Sequence, residues 1–372
     1  MRVTIVLNGR LESLPPVLSV CHALAETGHH VHLITNFIEP ENAGELREKG
    51  VKITTFRKHP DIRNTSLPVR ACRWLSFRWQ IWNLLRKEQY DFLWIASAET
   101  ALLMGKRLLK ERYVLQMHEL YDTYPVRIRK LKPLAQKACL VFVPELNRGR
   151  IFRAWFDLPE FPVILPNKPY RHPRKRNIPL TNEKVKSVIE GLGRDAKIVL
   201  YQGGIGKERD LRPVARAVSE LGSPWKLVIQ GILMGNDEYT KDFLANYEYT
   251  LVPPVPAPKH LETAAHAYIG IAAYVHDSLN TEFCAPNKIY EYTGFGLPVI
   301  ANDVAGLQDT IGRYRAGICI NFATADTAEI KHCLEEIDTA YSGYAACAAE
   351  FYEACDLKAI IVTAFERLRN RK

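Results

Sequence analysis

The stretch CAPNKIYEYTGFGLPVIAND, residues 284–303, joins a short helical run to an apolar strand, and this junction indicates the fold class. Pro286 suits the first turn of a helix, where its missing N–H costs nothing. Gly296 can end the helix, and Pro298 prevents its continuation. The apolar run Leu-Pro-Val-Ile-Ala then predicts a buried strand. A helix that leads into a fully apolar strand is typical of a parallel sheet with helices on both faces.

The same alternation of helical segments and apolar strands extends in both directions along the chain. The strand-like runs of the first half are RVTIVL, HVHLIT, VKITTF, DFLWIA, YVLQMH, CLVFVP and PVILP. Those of the second half are KIVLYQG, WKLVIQG, YTLVPP, IGIAAYV, LPVIAND and AGICIN. Between the two sets, residues 166–184 are rich in Pro and cations, which predicts an exposed linker. We therefore expect an α/β protein with two Rossmann-like domains.

These changes in composition give the domain boundaries. Residues 1–166 are predicted to form an N-terminal domain that would bind an acceptor. Residues 167–350 are predicted to form a C-terminal domain that would bind a nucleotide-linked sugar, and this range begins with a linker over about 167–184. Residues 351–372 are predicted to be a C-terminal helix that could cross back to the N-terminal domain. Ligands of open α/β sheets bind at the carboxyl ends of the strands, so we expect the site residues in the loops there.

The composition is that of a globular protein with a strong positive charge. Apolar residues make up 47% of the 372 residues, charged residues make up 24%, and the formal net charge is +9. Anionic lipid, nucleic acid and phosphorylated substrates are all partners that such a charge suits. No nucleic-acid motif with interleaved aromatic residues occurs, so we expect no nucleic-acid partner. A nucleotide-linked substrate, a membrane surface, or both, are favoured.

Cysteine content and hydropathy predict the compartment. The eight cysteines include no C-x-x-C pair and are expected to be buried free thiols in a reducing cytosol. No apolar run is long enough for a transmembrane helix, and the first residues lack the features of a signal peptide. We expect a cytoplasmic protein, which could be peripheral at the inner face of the membrane.

The start of the helix in the opening stretch predicts an anion site with a carboxylate nearby. The backbone N–H groups of Asn287, Lys288 and Ile289 lie at the positive end of the predicted helix. Glu291 follows about one turn further in, and a carboxylate can accept both hydroxyls of a ribose. We expect a phosphate at the helix start and a ribose at Glu291. The alternative is an ordinary solvated carboxylate on the helix surface.

A second motif, VLYQGGIGKERDLRPVARAVSEL at residues 199–221, combines a strand, a glycine turn and basic residues before a helix. Gly203 and Gly204 would let the backbone approach a diphosphate, and Arg209 would neutralise its charge. Lys207 could supply a further cation, or it could be an ordinary surface lysine. The motif predicts that the C-terminal domain binds a nucleoside diphosphate.

Together the two motifs resemble those of family 4 glycosyltransferases of the GT-B fold. Residues 285–303 are similar to the donor-binding segment of the subgroup that reads S/A-P-N-K-x-x-E-Y and then G-x-P-V-I-A. The resemblance implies two Rossmann-like domains that face a central cleft, and it places Arg209 where the family has a diphosphate-binding Lys. It further implies a UDP- or GDP-type sugar donor, retention of anomeric configuration, no cofactor and no metal. No Asp-x-Asp occurs, so protein groups are expected to meet the charge of the leaving diphosphate.

The chain departs from the family pattern at two positions. Many members carry Glu-x7-Glu, but position 283 is Phe283 here, with Glu282 one place earlier. Either Glu282 replaces the first Glu after a local shift, or the first carboxylate is absent. Many members also have Gly-Arg after the strand, where this chain has Gly203 and Gly204, so Lys207 could compensate for the missing cation.

In the N-terminal domain, the segment YVLQMHELYDTYP at residues 113–125 places His118 at the end of a predicted strand. A lone His is often a structural hydrogen-bonding residue, but similar family members carry a His here that contacts the donor sugar. The resemblance therefore implies a catalytic set of His118 with Arg209 and Glu282.

Residues 69–87, VRACRWLSFRWQIWNLLRK, mix three Trp and one Phe with five cations. Such a basic aromatic helix can lie at an anionic membrane surface. The alternative is a core helix before the strand DFLWIA, with the cations on its outer face.

We therefore predict a glycosyltransferase of the hexosyltransferase type. It would move a sugar from a nucleotide diphosphate sugar to a glycan, lipid-linked or other acceptor in polysaccharide or glycoconjugate biosynthesis. Two alternatives stay open. One is a nucleotide-sugar epimerase of the same architecture, and the other is a non-catalytic, membrane-associated binding module.

Overall fold

The computed structural model describes residues 1–58, 66–232 and 237–370, and the chain divides into two compact units. Unit 1 comprises Met1–Tyr170 and Asp356–Lys372, and unit 2 comprises Arg171–Cys355. Each unit is built on its own parallel sheet with helices packed against it.

The sheet of unit 1 has seven described strands, one for each strand-like run of the first half of the sequence. They are β1 (Arg2–Arg10), β2 (His30–Phe37), β3 (Lys52–Thr55), β4 (Phe92–Ile95), β5 (Tyr113–Gln116), β6 (Val141–Val143) and β7 (Val163–Ile164). The helices between them are α1 (Pro15–Glu26), α2 (Pro40–Glu48), α3 (Leu67–Leu85), α4 (Ala98–Met104), α5 (Pro125–Lys137) and α6 (Leu146–Phe156). Short 3-10 helices, Leu11–Ser13 and Gly105–Lys110, follow β1 and α4.

The sheet of unit 2 has six described strands, again one for each predicted run. They are β8 (Lys197–Gln202), β9 (Trp225–Gln230), β10 (Thr250–Val252), β11 (Ile269–Ala272), β12 (Val299–Ala301) and β13 (Gly317–Cys319). The helices are α7 (Glu183–Gly191), α8 (Arg212–Leu221), α9 (Glu238–Asn246), α10 (Leu261–Ala264), α11 (Leu279–Glu282), α12 (Asn287–Thr293), α13 (Ala305–Leu307), α14 (Thr327–Thr339) and α15 (Tyr341–Glu353). A 3-10 helix, Lys207–Arg209, precedes α8, and a π-helix, Gln308–Gly312, follows α13.

Both sheets reverse their strand order at one point, which decides where a ligand can bind. The order is β3-β2-β1-β4-β5-β6-β7 in unit 1 and β10-β9-β8-β11-β12-β13 in unit 2, with every neighbouring pair parallel. The direction of winding changes between β1 and β4 and between β8 and β11. In doubly wound sheets the ligand crevice lies at this change, outside the carboxyl ends of the strands.

The strands form where the sequence is continuously apolar, because both faces of each sheet are covered. Every residue of β4, β5, β11 and β12 is buried. A strand with water on one face would instead alternate apolar and polar residues. The predicted α/β fold with two Rossmann-like sheets is therefore confirmed.

The chain returns to unit 1 at its end through α16 (Leu357–Asn370). Phe365 of α16 packs against Phe92 with ring centroids 5.2 Å apart and against His29 at 4.4 Å. The Arg112 side chain donates a 2.9 Å hydrogen bond to the Leu368 carbonyl. The last helix thus completes the core of unit 1.

The cation-rich segment 166–184 is irregular, as expected of a linker, but part of it is packed on unit 2 instead of being exposed. Arg176 donates to the carbonyl of Ala265 at 3.0 Å and to that of Ala267. Arg174 donates to the Gly294 carbonyl at 2.8 Å and pairs with Glu353 at 2.5 Å. The segment is therefore largely exposed, while these two cations bind backbone carbonyls and a carboxylate of unit 2.

Candidate active site

A glycine turn follows β8 at the point where the sheet of unit 2 changes direction. Gly203 has φ +139°, a conformation that favours glycine, and its N–H donates to the Gln230 carbonyl at 3.0 Å. A Cβ on Gly231, at the end of β9, would overlap the Gly203 carbonyl. The Gly204 carbonyl accepts a 2.9 Å hydrogen bond from the Tyr201 hydroxyl. Two neighbouring strand ends therefore fix the turn, and Gly231 is a contributor that the sequence analysis missed.

Helix α12 is anchored to the same edge of the sheet through Tyr292. A Cβ on Gly270 of β11 would overlap the Tyr292 ring, so the glycine lets this ring lie flat against the strand. The Tyr292 hydroxyl accepts a 3.1 Å hydrogen bond from the N–H of Gln202, the last residue of β8. The helix begins at Asn287, and Pro286 is its N-cap residue, one position earlier than the first turn that the sequence predicts.

The Glu291 carboxylate lies in a buried, fully oriented position on α12. Glu291 is only 5% exposed, and its Oε1 accepts a 2.9 Å hydrogen bond from His260 Nε2. The His172 ring donates to the Glu291 carbonyl at 2.9 Å and so fixes the backbone as well. The alternative of a solvated surface carboxylate is wrong, because the group is removed from water and paired with a His.

Electrostatics keep this buried carboxyl ionised. Burial acts to raise the pKa of Glu291, but His260 and Lys288 outweigh it and hold the pKa below its ordinary value. A buried carboxylate that stays charged can accept hydrogen bonds from ligand hydroxyls, which is the chemistry that a ribose requires.

His260 is a second site residue that the sequence analysis missed. It directly precedes α10, and its backbone carbonyl accepts a 2.8 Å hydrogen bond from the Gln202 side chain. Gln202 also donates to Gln230 at 2.6 Å, which ties the ends of β8 and β9 together. Among the described residues, His260 Nδ1 is buried without a hydrogen-bond partner. No motif in the sequence surrounds His260, so only the fold brings it to Glu291.

Two cations lie beside the glycine turn, and two tyrosine rings hold them. The Arg209 guanidinium lies 3.8 Å from the centroid of the Tyr274 ring. Lys288 Nζ lies 4.1 Å from the centroid of Tyr201 and 5.8 Å from that of Tyr274. Lys207, by contrast, is exposed on the 3-10 helix Lys207–Arg209. The structure thus brings Arg209 and Lys288, but not Lys207, to one pair of rings.

Glu282 lies in a separate cluster that includes a charged imidazole. Its Oε2 accepts a 2.8 Å hydrogen bond from His276 Nδ1, and its Oε1 accepts one from the Ala305 N–H at 3.0 Å. His276 Nε2 donates to Asp303 at 2.8 Å. Burial acts to lower the pKa of His276, but its hydrogen bonds to Asp303 and Glu282 outweigh burial and raise it. The cluster lies in the loops that follow β11 and β12, and none of its contacts includes Glu291.

In unit 1, His118 lies just beyond β5, at the carboxyl edge of the sheet. Its Nε2–H donates to the Ala96 carbonyl at 3.0 Å, next to the end of β4, and its own carbonyl accepts from Arg148. Burial lowers the pKa of His118, although its bond to Ala96 acts in the opposite direction. The ring is therefore held neutral, with Nε2 as the donor and Nδ1 as the acceptor.

Helix α3 is partly buried in the core and partly exposed through large apolar side chains. Its C-terminal half packs in the core through Phe77, Ile81 and Trp82. Other large apolar side chains of the helix are exposed, with Leu75 at 66% and Trp79 at 69% exposure. In the described part of the chain, no helix is both long enough and apolar enough to cross a bilayer.

Comparison with known families gives a match in the first unit. Residues 17–167 match the family model described as Glycosyltransferase Family 4. No curated protein matches the sequence. The motifs that carry the predicted resemblance lie mainly in unit 2, whereas the matched range lies within unit 1.

Comparison with solved structures extends over the whole chain. The crystal structure of HepE from Anabaena with UDP-glucose has a TM-score of 0.68 at 12% identity, with 100% of both chains covered. Sucrose-phosphate synthase from Thermosynechococcus elongatus has a TM-score of 0.69 at 13% identity, covering 100% of this chain and 98% of that one. A putative UDP-N-acetylglucosamine 2-epimerase from Listeria monocytogenes has a TM-score of 0.56 at 13% identity, with 94% and 90% covered. At these identities the likeness shows the fold.

Proposed function

We propose that this GT-B protein transfers a sugar from a nucleotide diphosphate sugar. Its residues 17–167 match the family model described as Glycosyltransferase Family 4. The donor would be of UDP or GDP type and would bind to unit 2. The acceptor would be a glycan, lipid-linked or other, in polysaccharide or glycoconjugate assembly. Retention of anomeric configuration belongs to the same proposal.

The observation that carries this proposal is the arrangement at the reversal point of the sheet in unit 2. A buried carboxylate at Glu291, a glycine turn at Gly203 and a ring-held cation at Arg209 all lie at one sheet edge. A ribose needs a hydroxyl acceptor, and a diphosphate needs backbone amides and positive charge. The three features together supply the groups that a nucleoside diphosphate requires.

The catalytic roles follow from the same proposal. Arg209 and the amides of the glycine turn would stabilise the negative charge that develops on the leaving diphosphate. His118, held neutral with Nδ1 as an acceptor, would bind a hydroxyl of the transferred sugar. Glu282, if it takes the place of the family's first Glu, would orient the transferred sugar.

A panel of nucleotides tests the proposal directly. One nucleoside diphosphate, at about 100 times its Kd, should stabilise the protein by about 2.7 kcal/mol and raise its Tm by several degrees. The matching monophosphate and the free nucleoside should raise the Tm less, because they lack part or all of the diphosphate. No shift with any nucleoside diphosphate or its sugars would contradict the proposed function.

The reaction products then separate the alternatives. A transferase without acceptor should slowly hydrolyse its donor and release the nucleoside diphosphate with a free sugar, which initially keeps the donor's anomeric configuration. An epimerase should instead convert the donor to its epimer with no release of sugar. Binding with neither product would favour the non-catalytic module.

We propose in addition that the exposed part of α3 lies at an anionic membrane surface. Trp74, Leu75 and Trp79 are exposed there among the cations Arg70 and Arg78. Aromatic and aliphatic side chains enter the interface while the cations meet anionic headgroups. A lipid-linked acceptor would be reached from this surface.

Sedimentation with vesicles checks this expectation. Vesicles that contain phosphatidylglycerol should bind the protein, those of phosphatidylcholine alone should bind it less, and added salt should weaken the binding. Trp79→Ser should reduce the partition coefficient about tenfold, since it removes an apolar anchor. Leu244→Ser, at an exposed position on α9 of unit 2, is the matched control. Equal partition of the two variants would contradict the membrane assignment.

A further inference from the structure

Lys288 and Arg209 place two positive charges next to each other beside the Gly203 turn. Among the residues that the structure describes, neither side chain forms an ion pair, although each lies against a tyrosine ring. Two like charges that approach each other destabilise a fold unless something offsets them. The faces of Tyr201 and Tyr274 offset part of this cost. A pair of cations held in this way is suited to an anion that carries two phosphates.

The ammonium group of Lys288 lies directly beside the glycine turn. A Cβ built on Gly203 would lie 3.4 Å from Lys288 Nζ and 3.4 Å from the Tyr201 hydroxyl. Because Gly203 has no side chain and is exposed, a ligand can approach its backbone and the ammonium group together. Lys207 has no comparable place, since its side chain lies on the outer side of the following 3-10 helix.

We propose that Lys288, not Lys207, is the second cation of the diphosphate site, and that it takes up a proton from solution when the diphosphate binds. The inference rests on the proposed function, because it assumes that unit 2 binds a nucleoside diphosphate. Many family members have an Arg where this chain has Gly204, and Lys288 would supply the positive charge of that missing Arg.

The charge state of the free lysine explains the proton uptake. Burial and the neighbouring Arg209 lower the pKa of Lys288 to about 7, while Glu291 and Cys284 act in the opposite direction. Above this pKa the free protein holds Lys288 largely neutral, which relieves its repulsion from Arg209. A diphosphate beside Nζ favours the ammonium form and raises the pKa again. Binding therefore takes a proton from the buffer and weakens by about tenfold for each pH unit above 7.

Calorimetry in two buffers of different ionisation enthalpy measures this uptake. Titration of the full-length protein with UDP and with GDP at about pH 8, where the free nucleotide is fully ionised, should show uptake of close to one proton per nucleotide. Lys288→Arg keeps a permanent charge, so it should bind without this uptake and with an affinity that no longer falls between about pH 7 and 9. Lys288→Met should weaken binding at least tenfold at about pH 7.

Two further variants make the comparison specific. Lys226→Met, at an exposed position near the amino end of β9 and so at the opposite edge of the sheet, should bind as the unchanged protein does. Lys207→Met tests the competing lysine, and a larger loss of affinity than with Lys288→Met would overturn the assignment. Equal proton uptake by the unchanged protein and Lys288→Arg would overturn the linkage, because a group other than Lys288 would then take up the proton.

The outcomes separate this inference from the proposed function. Failure of every nucleoside diphosphate to bind would contradict both. Binding that depends on Glu291 but not on Lys288 would leave the proposed function intact and remove only the role of Lys288.

Discussion

Glu291→Gln should weaken the binding of a nucleoside diphosphate about 100-fold or more, with the fold intact. The substitution keeps the volume of the side chain, but it replaces an ionised acceptor that His260 orients at 2.9 Å with a neutral amide. Hydrogen bonds to a charged group contribute about 1.5–3 kcal/mol each, and a ribose makes two of them with one carboxylate. Calorimetry with the nucleoside diphosphate identified in the panel measures the loss.

The ligand itself supplies a sharper test of the same residue. The unchanged protein should discriminate strongly against the 2′-deoxynucleotide, whereas Glu291→Gln should discriminate less, because the lost hydroxyl is the one that the carboxylate binds. Glu335→Gln, at an exposed position on α14, is the matched control and should leave both affinities unchanged. Should Glu291→Ala and Glu291→Gln both fold and both bind with unchanged affinity, the ribose assignment would have to be abandoned.

His118→Ala should lower kcat about 100-fold or more and leave the nucleotide affinity nearly unchanged. The proposed nucleotide site lies in unit 2, whereas His118 lies at the carboxyl edge of the sheet of unit 1, where its ring is fixed by the Ala96 carbonyl. A misplaced reacting sugar costs about this factor even when binding is retained. Initial rates of donor consumption, together with calorimetric Kd values, give the two quantities.

Two variants show whether the effect comes from the imidazole. His118→Asn keeps a short polar side chain and should recover part of the lost kcat if one hydrogen bond to the sugar is what matters. His30→Ala, at the exposed start of β2 in the same unit, should behave as the unchanged protein does. Full activity of His118→Ala would remove His118 from the site.

The strands and their boundaries could be predicted because burial of both sheet faces leaves a direct trace in the sequence. Runs such as FLWI in β4 and VFV in β6 are apolar at every position. The strand order has no such trace. It follows from how the helices cross the sheet, and here the family resemblance, not the local pattern, implies it.

The site was predictable only where its residues are close in sequence. Glu291 and Gly203 each lie in a motif with flanking Pro or Gly, and the motifs identify them. His260 lies in the connection between β10 and β11, whereas Glu291 lies in the connection between β11 and β12. The residues next to His260 in the sequence did not single it out. Lys207 was the natural candidate for a second cation because it is four residues from Gly203, yet its side chain is exposed on the 3-10 helix, and Lys288 is the lysine beside the turn.

The return of α16 to unit 1 has a consequence for biosynthesis. The chain leaves the ribosome from its N-terminus onward. Unit 2 is the continuous segment Arg171–Cys355, so it can fold as soon as that segment has been translated. Unit 1 cannot complete its core until α16 has been translated, because Phe365 covers the surface around Phe92 and His29. A premature stop near residue 355 would therefore damage the half of the protein that was made first, and it would spare the half that was made last.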